Sequence, residues 1–462
     1  MKDIIETILK EKNMINREKL KEQFKKETKV FDELHPISKE MFLEAKDNLL
    51  QGVPLNWMVR WMGGFPIFIS NAKGNHLTCA DGHDYIDFCL GDTGSLVGHG
   101  PEAASKAIFE QFNKGASHML PTEDAIWNGK ELQRRFGMKY WQFSTSATDA
   151  NRFAIRLSRR ITKRQKIVVF NYCYHGTVDE TIALLSEDGK TIVRKGNIGY
   201  PVDPSITTKV VEWNDASALE KALKDKDVAA VLAEPVMTNI GVVFPDPGFH
   251  DTMRKLTKKY NTLLIIDETH TMCAGVGGYT KDNNLEPDMI TLGKFIASGV
   301  PAGAYGISEE VGKKAIAEIE SEFGVAKGIG GTLAANALTM AAMRATLGEI
   351  LTEEFYKRNT PLAKKFNEGV QSAIDEFEIP WSTTHLGCRT EYIFQKEPTR
   401  NGSEAMAAKD NELDWYMHLA CLNRGIVMTP FHNMALITNT TTENDINKHT
   451  AVFREVVKNI LD

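Results

Sequence analysis

The sequence predicts an α/β fold: a large domain built on a mainly parallel sheet flanked by helices, and a smaller α+β domain from the N- and C-terminal parts of the chain. Three observations carry this. In the middle of the chain, short apolar runs (Ile167–Phe170, Val228–Ala233, Leu263–Ile266, Met289–Leu292) recur with helical patterns such as Ala216–Leu223 and Gly248–Tyr260 between them. Strands apolar throughout are covered on both faces, and strand–helix alternation builds parallel sheets. From Ala334 to Phe377 the pattern is mostly helical, followed by short strand candidates at Thr390–Gln395 and Ala435–Thr438 and a helix from Glu443 to Ile460. The 462 residues, 42% apolar and 25% charged, have ordinary globular composition and suffice for two large domains.

In chain order, residues 1–50 read as a charged helical extension, with Ile4, Ile5, Ile8 and Leu9 as its first apolar stripe. Residues 51–84 form the N-terminal part of the small domain. They open with a Gly/Pro-punctuated stretch, Gln51 to Phe68, of loop and short strand. A hairpin spans His76 to Phe88 with Asp81-Gly82 at its turn. Residues 85–339 form the large domain and 340–462 the C-terminal small domain, with the boundary inside a long helix.

Lys and Arg number 55 and Asp and Glu 61, a net charge of −6, so nothing draws the chain globally to nucleic acid or to an anionic membrane. The six cysteines, Cys79, Cys89, Cys173, Cys273, Cys388 and Cys421, form no C-x-x-C pair. That scatter suits a reducing compartment and gives no metal site. The N-terminus lacks a signal-peptide apolar core, and no run of 18 apolar residues occurs, so a cytoplasmic location and no membrane span are expected.

Four segments could carry chemistry. Phe143-Ser-Thr-Ser-Ala-Thr-Asp-Ala-Asn151 precedes a helix bearing Arg152, Arg156, Arg159 and Arg160. Small hydroxyl residues at a helix start present backbone N–H groups to a phosphate, or simply cap the helix through Ser146 and Asp149. Asp267 and Lys294 each end an apolar run, where α/β sheets place their sites. They form either a structural ion pair or the two ends of a pyridoxal phosphate, with carboxylate on the ring nitrogen and lysine on the aldehyde. Tyr174-His175-Gly176 follows a strand, so Tyr174 either stacks on a flat ring or fills the core. Gly328-Ile-Gly-Gly-Thr332 opens a helix, another phosphate-binding pattern. Neither glycine cluster, 275–278 nor 328–331, is a dinucleotide or Walker loop.

In this order the segments resemble the class III, fold type I pyridoxal-phosphate aminotransferases, on the branch of glutamate-1-semialdehyde aminomutase. The resemblance runs from about Gln51 to the C-terminus. The family's Asn-Ser-Gly-Thr-Glu-Ala loop appears as Thr145-Ser-Ala-Thr-Asp-Ala150. Tyr-His-Gly stands at Tyr174, Glu-Pro-Val at Glu234, Asn-x-Gly at Asn239, Asp-Glu at Asp267, Leu-Gly-Lys at Leu292 and Gly-Thr at Gly331. The chain departs from the pattern at Ala147 (family Gly) and at Thr269 (usually Val), and it lacks an arginine soon after Asp267-Glu268. The N-terminal 50 residues have no counterpart in the shorter aminomutase.

The resemblance implies pyridoxal 5'-phosphate as cofactor, with Lys294 and Asp267 catalytic. Ser146, Ala147 and Thr148 would hold the phosphate, with Thr332 reaching that of the neighbouring subunit. Tyr174 and Thr269 would lie on the two ring faces, and Glu234 and Asn239 near its hydroxyl edge. Arg60 and Arg389 would receive a substrate carboxylate, and Trp57 would shape the pocket. The implied activity is transfer of an amino group between a carboxylated amine, such as a β- or ω-amino acid, and a keto acid or aldehyde, by a homodimer with shared sites. The alternative is an intramolecular aminomutase of the glutamate-1-semialdehyde type.

Overall fold

The computed structural model describes residues 15–321 and 327–461. The stripe Ile4, Ile5, Ile8 and Leu9 lies outside the described residues. The chain divides into two compact units, residues 1–101, 357–398 and 408–462 in one, and 102–356 and 399–407 in the other. No described helix is long and apolar enough to cross a membrane.

The larger unit carries a seven-stranded sheet. Across it the order is Tyr140–Ser144, Gly303–Ile307, Met289–Leu292, Leu263–Asp267, Val228–Ala233, Lys166–Phe170 and Thr208–Val211. The last five pair in parallel. Every residue of Val228–Ala233 is 0% exposed, the continuous burial that its unbroken apolar run foretells. Gly303–Ile307 is antiparallel to both neighbours. Its Gly/Pro-rich surroundings hide it from periodicity. The glycine is required by close approach: a Cβ on Gly303 would lie 2.3 Å from the Ser146 carbonyl oxygen.

The other unit holds two small sheets. Ile69–Lys73, His76–Cys79 and Asp84–Asp87 form an antiparallel meander, and Ile426–Val427 joins in parallel beside Asp84–Asp87. Ser382–Leu386, Arg389–Ile393 and Met434–Leu436 form the second, all antiparallel. Two expected boundaries move. Residues 85–101 belong here and not to the large unit, because Tyr85 and Ile86 sit inside this sheet and its core. Residues 340–356 belong to the large unit, since helix Ala337–Ala345 packs against Glu102–Phe112 and Glu123–Phe136. The division still falls inside a long helix, Glu353–Glu376.

The N-terminal segment is no separate appendage. Helix Arg17–Leu34, capped by Asn16, buries Leu20, Glu27 and Phe31 on one face. Leu20 and Phe31 enter the unit's two apolar clusters. The Asn16 N–H donates to the Ile460 carbonyl at 3.0 Å, and Arg17 pairs with Asp410 at 2.5 Å.

A buried histidine is expected to contribute acid sensitivity to this unit. His449 stacks on Phe366 at 4.1 Å, and burial pushes its imidazole down to about 3. The unfolded chain binds a proton there below about 6.5 while the folded chain does not, so stability falls by about 1.4 kcal/mol per unit as pH drops from there toward 3. His449→Phe is expected to flatten the dependence of melting temperature on pH between about 6.5 and 5. An unchanged slope would assign that sensitivity elsewhere.

Candidate active site

Asp267 is the last residue of a central strand and pairs in register with Thr291 of the next, three residues before Lys294. Asp267 and Lys294 are therefore carried at and just beyond the C-terminal ends of adjacent parallel strands.

Asp267 is 4% exposed and accepts three hydrogen bonds. Oδ2 accepts from Asn151 Nδ2 and His175 Nδ1, each at 2.8 Å, and Oδ1 accepts the Thr269 N–H at 3.0 Å. Burial would raise this carboxyl. The hydrogen bond and charge of His175, with help from Thr269 and Asn151, outweigh it and hold the carboxyl below its ordinary value. Burial would likewise lower His175, but the adjacent Cys173 and Asp267 raise it well above a free imidazole. Asn151 is itself fixed, because its Oδ1 accepts from Thr291 Oγ1 at 2.6 Å. Sequence reasoning does not single out Asn151 and His175 as site residues. The available signal is an Asn on the apolar face of an amphipathic helix, where it is fully buried.

Neighbouring Glu268 does different work. Its carboxylate, 0% exposed, accepts from Thr271 Oγ1 (2.5 Å), the Tyr279 N–H (3.2 Å) and the Thr280 N–H (2.5 Å). Burial nevertheless leaves its carboxyl raised. It organises the segment where the family arginine is missing. There Arg135, 1% exposed, donates instead to the carbonyls of Val276, Leu347 and Leu351.

Ser146 caps helix Ala147–Thr162 by accepting the Asp149 N–H at 3.2 Å. The Ala147 and Thr148 N–H groups lie in the first turn, where the helix itself supplies no acceptor. Ala147 fits because its Cβ lies over a glycine: a Cβ on Gly293 would come within 2.6 Å of it. Thr148 Oγ1 accepts the Thr177 N–H at 3.1 Å, tying this loop to the segment of Tyr174. The four arginines of the helix have other duties: Arg152 pairs with Asp149, Arg159 with Glu180, Arg160 with Glu318, and Arg156 donates to the Gly328 carbonyl.

The other expected cofactor residues lie in the same unit. Glu234 follows strand Val228–Ala233 and accepts from the Thr238 N–H and hydroxyl. Asn239 donates to the Tyr172 carbonyl at 2.9 Å. Tyr174 is half-buried, Thr269 is 8% exposed, and Thr332 is exposed before helix Ala337–Ala345. These residues fit pyridoxal phosphate: a buried carboxylate held ionised suits a protonated ring nitrogen, a lysine follows the end of the next strand, and a capped helix start suits a phosphate.

The three expected substrate residues lie in the other unit. Arg60 is exposed, with its guanidinium over the rings of Trp57 (5.0 Å) and Phe431 (5.5 Å). Arg389 differs from expectation. It is 1% exposed and donates to Glu391 Oε2 at 2.9 Å. Against burial, Arg389 and then His432 draw the Glu391 carboxyl down to about 2. Arg389 thus already has an internal anion. The pairing is invisible in sequence because residues two apart share one strand face only once a strand forms.

A profile of the family aminotransferase class-III matches residues 58–456. A glutamate-1-semialdehyde-aminomutase from Pseudomonas aeruginosa PAO1 is 43% identical, with TM-score 0.95 over 97% of this chain and 100% of that one. A variant of that aminomutase, solved in complex with PMP, matches equally well. That structure's coverage also takes in most of the N-terminal 50 residues. A glutamate-1-semialdehyde 2,1-aminomutase of Anaeromyxobacter dehalogenans is 31% identical over 426 residues, 90% of this chain and 97% of the relative. A β-phenylalanine aminotransferase from Variovorax paradoxus shares the fold at 23% identity, TM-score 0.85, over 95% of this chain and 97% of that one. The chain belongs to the class III aminotransferase family, on the fold type I scaffold of pyridoxal-phosphate enzymes.

Proposed function

We propose that this chain is a pyridoxal-phosphate-dependent aminomutase of the glutamate-1-semialdehyde type, moving an amino group within one carboxylated substrate. The observation that carries this reading is the near-complete likeness to the Pseudomonas aeruginosa aminomutase. It favours the intramolecular alternative over transfer between two substrates.

The bound cofactor supplies an aldehyde that condenses with amines and a ring that accepts electrons. Lys294 would anchor it, and its amine would serve as the base that takes and returns the substrate's proton. Asp267 keeps the ring nitrogen protonated, and His175 and Asn151 hold Asp267 in place. Tyr174 and Thr269 would bracket the ring, Glu234 and Asn239 would line its hydroxyl edge, and Ser146, Ala147 and Thr148 would hold the phosphate. Arg60, flattened on two aromatic rings, is the better receptor for the substrate carboxylate; Arg389 is neutralised by Glu391.

A second copy of the chain completes the enzyme, with Thr332 serving the neighbour's phosphate. The support is a set of exposed large apolar side chains on the large unit: Phe109, Phe112, Met119, Leu120 and Leu333 are each at least 60% exposed. The location is the cytoplasm, supported by six buried cysteines, none of them in a disulfide among the described residues.

The test is turnover of glutamate-1-semialdehyde with no external amino donor or acceptor. Product from the single substrate supports the mutase, whereas an absolute need for a keto acid returns the transaminase. Arg60→Ala is expected to raise KM for the carboxylated substrate about tenfold or more, the worth of one charged hydrogen bond, and to leave an uncharged amine within about twofold. Equal losses would remove Arg60 from carboxylate binding.

A further inference from the structure

Lys294 has φ +53° and Ser298 φ +52°, so left-handed non-glycine residues bracket the one-turn 3-10 segment Lys294–Ala297. Such conformations cost about 1 kcal/mol or more and persist only where the surroundings impose them. On one side the turn is imposed by packing, because Phe295, Ile296 and Ala297 are each 0% exposed. On the other side a side-chain hydrogen bond ties it down: Ser298 Oγ lies 2.7 Å from Thr346 Oγ1. The direction follows from the partners. Thr346, 0% exposed, donates its proton to the Ala342 carbonyl at 2.7 Å, so Ser298 is the donor to Thr346. Thr346 begins a π turn, Thr346–Ile350, and the buried Arg135 guanidinium pins the carbonyls of Leu347 and Leu351. Isolated π turns are rare and recur at functional sites.

We infer that Ser298 and Thr346 form a positioning latch for Lys294, which fixes the lysine's strained turn to the rigid π turn and thereby sets the geometry of its bond to the cofactor. This rests on Lys294 being the cofactor lysine.

The test titrates the visible absorbance of the cofactor-loaded enzyme against pH. Ser298→Ala and Thr346→Val are each expected to move the midpoint by about half to one pH unit, what a single neutral hydrogen bond is worth. The double variant should move it no further than either single variant, because both lose the same bond. Thr346→Ser, which keeps the hydroxyl, should leave it in place. A purely structural role would lower the melting temperature of the variants without moving the midpoint, and that result overturns the latch. So does an additive double variant. If Thr346→Val fails to fold, Ser298→Ala decides alone, since Ser298 is only half-buried. Borohydride reduction of the parent enzyme checks the underlying assignment separately: a cofactor adduct on another residue rejects Lys294 whatever the latch variants show.

Discussion

Replacement of Lys294 by alanine is expected to lower turnover by at least about ten-thousandfold, the upper range for one positioned acid–base group, because it also removes the covalent anchor. The lysine is half-buried on a turn whose packing comes from Phe295, Ile296 and Ala297, so the fold should persist. Borohydride reduction followed by peptide mass analysis is the check. The parent enzyme should carry the cofactor on the peptide containing residue 294, and the variant should carry none. A variant within tenfold of the parent's turnover, or one still labelled, would place the chemistry on another amine.

Asp267→Asn is expected to weaken cofactor retention by about 3–5 kcal/mol, roughly two to three and a half powers of ten, since it removes one partner of a buried charge pair. The side chain keeps its size, but its amide brings a donor to a position where His175, Asn151 and the Thr269 N–H already donate. Equilibrium dialysis against cofactor measures the loss, and binding within about threefold of the parent would end Asp267's assignment to the ring nitrogen. The sign of the pH response follows from the same contacts. Asp267 is held below, and His175 well above, their ordinary values. Asp267 therefore stays ionised and His175 protonated across about pH 5–6.5, where a free imidazole would titrate. Activity limited by this pair should be flat there, and His175→Gln should introduce a dependence at the acid end.

Much of this molecule is readable along the chain. Val228–Ala233 and Met289–Leu292 occupy the spans their apolar runs predict, because a strand buried on both faces needs no partner to be recognised. Ala216–Leu223 is likewise legible from its helical spacing. Asp267 and Lys294 are visible because parallel strands present their sites at one end, a rule that depends on order alone. Other features need the folded chain. Gly303–Ile307 shows no strand pattern, since its two glycines answer to close neighbours, Gly303 to the Ser146 carbonyl and Gly306 to the Trp141 ring. The N-terminal segment reads only as a charged helical extension, yet Leu20 and Phe31 are buried in apolar clusters with residues far along the chain. Arg389 reads as a receptor until Glu391 is seen beside it. Local pattern thus marked most of the central strands and helices and placed Asp267 and Lys294 as candidates at strand ends. Which charges were already neutralised, which backbones were strained and what held them were decided only by contacts between distant segments, because the free energy of a buried ion or hydrogen bond depends on the partner it meets in space.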